Sequence, residues 1–524
     1  MVSKDTKLAM IGKTMIWILL SFLAVGGVSY RNSNKSVWEW ILLIVCSFLV
    51  VGLGLTGISV GWKHISSKIF VEKRNRSRKL YWSCIFVILI PRILLLLHLW
   101  PGTLSCDTPG QLMQAMFDSP FENLNPLIQT LFLTVFVQIG KMISSVSAGI
   151  TLYTVFQLLS YALVSAYTIH ALWKKGICKP LLLVFLLFFA LNPVNLEYSV
   201  GMWKDTFFAV AFLAVMTFVY DHLDEKLSAK SRILFISLVF ICSLSRNSAW
   251  SAFIFFFVVL FLFSVKTGKN HLKTISIFGT IAVVSGLLVQ FILYPFLGIS
   301  NSHSYFGISI PMQQMARTIK DNDIDQNTEG EIKKYCKDGV ELHDIAEAYN
   351  YALVDPIRAK FNSNVLKQDM LGFLKLWLKL GARYPKSYMK AFIDHTIPIW
   401  WPGEGTWQWD NRIFENAYGV VRESKITHSI TEIIQKILKM VLPGYTIINR
   451  GGMVLWFVLI GMFLNLNSGN TLGNIFYMPF LIIFAGLLLF SFAPLFRYMY
   501  AAFVVQPLFC GFQTIPVIPG NTPK

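Results

Sequence analysis

Runs of about 20 apolar residues, broken by short clusters of lysine and arginine, recur along most of this chain, and no other feature limits its fold so tightly. A helix needs about 20 such residues to cross the hydrocarbon core of a bilayer. Lipid offers backbone groups no hydrogen bonds, so only helices or closed barrels can cross. Candidate crossings lie near 9–30, 38–61, 80–100, 126–145, 149–172, 180–196, 201–220, 233–245, 248–264, 274–296, 451–465, 474–490 and 495–513. Only 14% of the 524 residues are charged, against roughly 25% in soluble proteins, which excludes an ordinary soluble enzyme. A formal charge of +18 would suit a nucleic-acid binder. The basic residues punctuate the apolar runs instead of forming one patch, so the expected partner is the bilayer of a cell membrane, crossed many times, and not a nucleic acid. The seven cysteines show no metal-ligand spacing and no disulfide framework.

The basic clusters also give direction, because lysine and arginine concentrate in cytoplasmic loops. Lys63, Lys68, Lys73, Arg74, Arg76, Arg78 and Lys79 stand against one acid, Glu72, so this stretch is expected in the cytoplasm. The first apolar run follows Lys4 and Lys7, as a signal peptide would, but it is long and lacks a small-x-small cleavage site; it reads as an uncleaved helix. Residues 101–125 carry Asp107, Asp118 and Glu122 and no lysine or arginine, as expected outside. The basic connector 173–179 belongs inside. That requires the segment 126–145, which begins Asn125-Pro126 and contains Gln129, Gln138 and Lys141, to lie along the outer interface. Twelve crossings follow, with both termini in the cytoplasm. The runs 233–245 and 248–264 are short enough to be one kinked helix.

The expected organisation is an all-α polytopic membrane protein. Two extra N-terminal helices occupy 1–61 and a basic cytoplasmic loop 62–79. The membrane core is 80–296, with an outer loop and interfacial helix at 101–145. An extracytoplasmic helical domain occupies 297–450, and the C-terminal helices 451–524. The domain 297–450 holds 17 of the 28 acidic residues and 19 of the 46 basic ones, so it is nearly neutral and solvated. Leu371, Leu374, Trp377 and Leu378 have the spacing of an amphipathic helix.

Ionisable residues at membrane depth are functional candidates, and here they collect in four outer connections. Asp107 lies in Ser105-Cys106-Asp107-Thr108. Glu197, Lys204 and Asp205 follow Asn192-Pro193, Arg246 lies in Ser245-Arg246-Asn247, and Arg497 in Pro494-Leu495-Phe496-Arg497-Tyr498. A carboxylate can deprotonate a hydroxyl, and arginine or lysine can hold a phosphate and stabilise its charge as it leaves. Together they describe transfer of a group from a membrane-anchored phosphate to an acceptor outside. Read blandly, each cation marks a helix end and snorkels to the headgroups. Asp107 is the main candidate catalytic carboxylate, as a base or as a ligand for a divalent cation, with Asp205 and Glu197 as alternatives. Arg246 and Arg497, helped by Lys204, are candidates for the lipid phosphate. Gln111 would share a helix face with Asp107.

The order of these motifs resembles the GT-C superfamily of glycosyltransferases, which includes aminoarabinose transferases and protein O-mannosyltransferases, and within it an uncharacterised bacterial family of GT-C-like membrane proteins. The resemblance covers roughly 80–510. It implies a polyprenyl-phosphate sugar donor, transfer at the outer face and a cell-envelope polymer or lipid as acceptor. Asp107 matches the acidic residue of the first outer loop, and Asp205 or Glu197 the second. Asn125-Pro126-Leu127 departs from the His-Pro-Pro of many members, and Arg246-Asn247 stands where many have Lys-Gly.

Weaker signals remain. Trp400, Trp401, Trp407 and Trp409 could stack on a sugar, with Trp400 and Trp407 as the candidate contacts, or form an interfacial belt. Asp321, Asp323, Asp325 and Glu331 partly match a calcium loop, but the required glycine is Gln326. A transporter or lipid flippase is the competing reading, and a non-catalytic receptor a third. Transporters tend to carry inverted repeats, and no pair of matching halves is visible here.

Overall fold

The computed structural model describes residues 4–30, 36–246, 249–301, 307–405, 410–425, 432 and 449–515. Among the described residues eight helices are long and apolar enough to cross a membrane, or nine if one bent pair is a single span. The chain is therefore an all-α, multi-pass membrane protein. The other expected crossings coincide with helices that are shorter, charged at both ends or broken.

The helices α1 (Lys4–Ser29) and α2 (Val37–Ile69) form a hairpin. Ser36 and Glu39 start α2 with a reciprocal capping box: the Ser36 hydroxyl accepts from the Glu39 N–H, and the Glu39 carboxylate from the Ser36 N–H. Two donors that lipid could not satisfy are thus paired at the helix end. The hairpin packs on helix Gly451–Ser468, and much of α2 is exposed. The core contains α3 (Arg78–His98), α4 (Thr108–Ala115), α5 (Leu127–Ile143) and α6 (Val146–Lys174). A Cβ on Gly140 would sit 2.0 Å from the backbone nitrogen of Gly149, so glycine lets α5 lie directly on α6. The 17-residue α5 is shorter than the candidate spans.

Next come α7 (Lys179–Leu191) and α8 (Pro193–Val200), bent by 44° at Asn192-Pro193. Pro193 has no N–H to give the Phe189 carbonyl, and the Val194 N–H caps onto the Asn192 side chain instead of reaching Ala190. Fully buried Arg92 of α3 takes over both carbonyls, donating to Phe189 O at 2.6 Å and Ala190 O at 3.4 Å, with its guanidinium 4.2 Å from the Tyr161 ring centre. This arginine completes a helix break.

The almost wholly buried α9 (Lys204–Asp221) runs through the core. The helices α10 (Ala229–Leu244) and α11 (Ala249–Thr267) are separate, and both pack on α12 (Asn270–Leu288). The two-residue strands β1 (Glu122–Asn123) and β2 (Ser300–Asn301) pair in parallel, Glu122 opposite Ser300, and so tie the 101–125 connection to the chain beyond α12.

The helices between 307 and 400 enclose a second hydrophobic core, including Met312, Met315, Ile332, Phe361 and Phe373, separate from that of the membrane helices. The expected amphipathic helix is present as Met370–Arg383, but its stripe is rotated. Phe373, Leu376 and Leu380 point inward, while Leu371 and Leu378 are exposed. That helix packs on the helix Ser309–Asp321. The final helix, Pro385–Trp400, ends inside the membrane core. Residues 410–425 lie across the 97–118 connection, with backbone hydrogen bonds between Leu104 and both Arg412 and Phe414.

Candidate functional site

Three helix starts and one helix break converge at the same end of the bundle. Asp107 occupies the N-cap position of α4, but its carboxylate makes no capping bond. It turns instead to Lys204 Nζ at 3.1 Å and Arg497 Nη1 at 3.3 Å. Lys204 and Asp205 open α9, where a carboxylate in the first turn is favoured by the helix dipole. Asp205 receives a hydrogen bond from Arg246, which lies in the break between α10 and α11, and stands 3.8 Å from Arg497 Nε. Arg497 begins a short 3-10 turn, Phe496–Met499, and also donates to the Tyr498 hydroxyl at 3.0 Å. Lys204 donates to Asn125 Oδ1 at 2.7 Å. Five of the residues expected from sequence therefore form one network, with three cations against two carboxylates.

Burial divides their roles. The Asp205 side chain is 1% exposed and that of Arg497 7%, against 32% for Asp107. Asp205 anchors the cations, while Asp107 faces open space. Burial pushes the Asp107 carboxyl up, but Lys204 and Arg497 beside it outweigh that and hold it below the usual carboxylate range. Arg246 also lies against the rings of Phe208 and Tyr498.

The network borders a cavity of about 550 Å³, inside the usual range of small-ligand sites. Asp107, Lys204, Asp205 and Arg246 form its charged side. Ile483, Gly486, Leu487 and Phe490, on the apolar helix Met478–Phe490, form the opposite wall. Phe490 is well exposed on the bundle surface. Asp355 and Arg358, from the second core, also line the cavity.

The remaining candidates lie elsewhere. Glu197 sits on α8 outside the cavity lining, with Oε2 buried and without a hydrogen-bond partner among the described residues. Gln111 is buried between helices, donating to Gln129 and Thr130 of α5 at 3.1 Å each. Trp400 is buried in the membrane core, its indole N–H on Thr396, close to Gly26 of α1; it packs helices and faces no cavity described here. Trp407 lies outside the described residues. Around Asp107 the neighbouring groups are cations, and among the described residues no three His, Cys, Asp or Glu side chains gather as metal ligands. This donor set does not fit a divalent cation. Three of the four calcium-loop acids are engaged otherwise: Asp321 with Arg317, Asp325 as a helix cap and with Arg383, Glu331 with Lys379. Cys336 is a free, buried thiol.

Sequence reasoning did not single out Asn125, Tyr498, Asp355 or Arg358 as site residues. Asn125 and Tyr498 stood inside quoted motifs. Asp355 and Arg358 carried no local signal, because only the packing of the second core against the helices brings them there.

No curated protein and no solved structure matches the chain. One family does match, over residues 116–510, a stretch that contains Lys204, Asp205, Arg246 and Arg497 but neither Asp107 nor the α1–α2 hairpin. With most of its length matched, the chain belongs to DUF6020, a family of unknown function.

Proposed function

We propose that this protein is a membrane glycosyltransferase of GT-C-like architecture with twelve crossings, moving a sugar from a polyprenyl-phosphate donor to a cell-envelope acceptor outside the membrane. The observation that carries this reading is a single cavity with cations on one side and an apolar, lipid-exposed helix on the other. A phosphate-linked lipid needs both surfaces at once. Its phosphate meets Arg246 and Lys204 on the cavity lining and Arg497 behind them, where that arginine pairs with Asp107, and its prenyl chain runs down beside Ile483, Gly486 and Leu487. Arginine suits the phosphate because its planar fork grips two oxygens and stays charged when desolvated.

In this mechanism the donor phosphate competes with Asp107 for Lys204 and Arg497. As the cations turn to the phosphate, Asp107 loses the charges that kept it a weak base. The acceptor hydroxyl attacks the anomeric carbon and gives its proton to Asp107. The bond from that carbon to the phosphate oxygen breaks, and the electrons leave on the lipid phosphate held by Arg246 and Arg497. Asp205 holds both arginines in place. Glu197 takes no part, because it lies on α8 without an ion pair to this network among the described residues. No step runs through a metal ion.

The test is donor-lipid binding to purified Arg246→Ala and Arg497→Ala proteins, with melting temperature measured alongside. Binding should fall severely in both and partially in Arg246→Lys. If the variants melt early yet bind the lipid normally when folded, the arginines are structural and the reading fails. A protein that binds the lipid and carries it across vesicles without sugar transfer is the competing flippase. Topology is tested separately. A cysteine at Asn322 should be labelled from outside the cell and one at Asn75 spared.

A further inference from the structure

The second core has a cavity of its own, about 240 Å³, framed by the bridge between Cys336 and Phe361 and floored by Phe361 and Leu366. Its polar lining is Lys337, Asp355, Arg358 and Ser363. Asp355 and Arg358 line the larger cavity as well, so one ion pair forms the partition between the two. Arg358 is held there by Asp355 Oδ1 at 2.5 Å and Ser309 Oγ at 3.1 Å, with its side chain only 11% exposed. Lys337 is exposed and has no carboxylate partner among the described residues.

Two cations against one carboxylate select an anion. The volume falls below the roughly 300 Å³ of typical small-molecule sites, which suits one ring or headgroup and not a lipid. The apolar floor matches the face of a sugar or the carbons of a polyol, and Ser363 offers a hydroxyl. Resting on the glycosyltransferase reading, we propose that this cavity is the acceptor-side subsite. It binds a polyol or sugar carrying a phosphate or carboxylate, and the Asp355–Arg358 pair separates it from the donor cavity. The acceptor is thereby fixed by its charge while a neighbouring hydroxyl reaches across the partition.

The experiment is calorimetric titration of the full-length protein in detergent with glycerol 3-phosphate, and with glycerol as the uncharged control. Glycerol 3-phosphate should bind and glycerol should not. Lys337→Ala should weaken binding at least fivefold, and Ser363→Trp, which fills the cavity, should abolish it. Lys379→Ala, removing a surface lysine paired with Glu331 elsewhere on the same core, should bind like the wild type. Arg246→Ala should keep glycerol 3-phosphate binding while losing donor lipid. No binding by the wild type, or equal binding by Lys337→Ala and Ser363→Trp, overturns the proposal. So does loss of binding in Arg246→Ala with retention in Lys337→Ala, which would put the anion in the donor cavity. Because no donor is present, failure of the donor assignment leaves this titration unchanged, and the two outcomes stay distinct.

Discussion

One helix, α9, carries a charge network at each of its ends, about 26 Å apart at 1.5 Å per residue, and the two networks are built differently. At the Asp221 end, Asp221, Asp224 and Glu225 meet Lys73, Arg76, Lys174 and Lys175. Lys73 and Arg76 are more than half exposed. Every acid there has a cation from a loop or helix end, and none of these residues lines either cavity described above. At the Lys204 end no charged side chain is more than 32% exposed, and Asp107, Lys204, Asp205 and Arg246 face a cavity with an apolar wall. The first network fastens the basic loop to the bundle. The second holds cations where a ligand can reach them. Charge number is similar at the two ends. What separates them is that only the second network borders a cavity, where low-dielectric walls strengthen each charge.

The same substitution at both ends tests the contrast most sharply. Asp107→Asn should lower sugar transfer at least about 100-fold, the scale of a lost general base, while Asp224→Asn should leave it within about twofold. Equal losses would make the networks equivalent and end the distinction.

Stability should divide the ends next. Asp205→Asn leaves Arg246 and Arg497 without their shared buried partner, a change that costs about 3–5 kcal/mol in comparable buried pairs. Lys73→Ala removes an exposed partner and should cost less than about 0.5 kcal/mol. Denaturation in detergent reads both. Arg92, which has no carboxylate partner among the described residues, gives an intermediate case. Arg92→Leu strands the carbonyls of Phe189 and Ala190, each worth about 1–3 kcal/mol when buried and unpaired. Relief of its own burial offsets part of that, so a net loss of about 1–3 kcal/mol is expected.

The pH dependence is the smallest effect and differs in kind at the two ends. Burial raises Asp224, but Lys175 and Lys73 outweigh it and hold the carboxyl at about 2. A depressed carboxyl stabilises above its unfolded value and loses that contribution as pH falls through the folded one. The Asp224 share, below about 1 kcal/mol after solvent screening, should thus be intact at neutral pH and vanish between about pH 4 and about pH 2. Asp224→Asn should remove that part of the acid melting curve. At Asp107 the readout is kinetic. The free protein keeps its carboxyl low, and donor binding withdraws its cations. The acid limb of kcat should therefore lie at higher pH than that of kcat/KM. Coincident limbs would show that Asp107 keeps its cations throughout.

The five network residues were legible because each sits at a helix end or helix break that the apolar runs already mark, and ends at the same level can meet. Glu197 satisfied the same criterion and does not join them. It lies on α8, whose direction is reset by the bend at Pro193. Trp400 read as a sugar platform or as part of an interfacial belt, and the ring instead lies against Gly26 of α1, a contact spanning most of the chain. Leu371 and Leu378 had helical spacing, yet the buried row of that helix is Phe373, Leu376 and Leu380. Periodicity identifies a helix without choosing which of two overlapping stripes faces the core.

The sequence alone determined that this chain is a helical membrane protein, where most helices begin and end, and at which level its ionisable groups collect. Lipid imposes those features locally, since each backbone group must be satisfied within its own helix and each charge must reach an end or a partner. Tertiary structure alone decided which charges meet, that Arg92 closes the break at Pro193, and that Asp355 and Arg358 line the same cavity as Arg246. Those choices depend on helices packing across hundreds of residues, where shape and the position of glycines select the neighbour and local propensity has no vote.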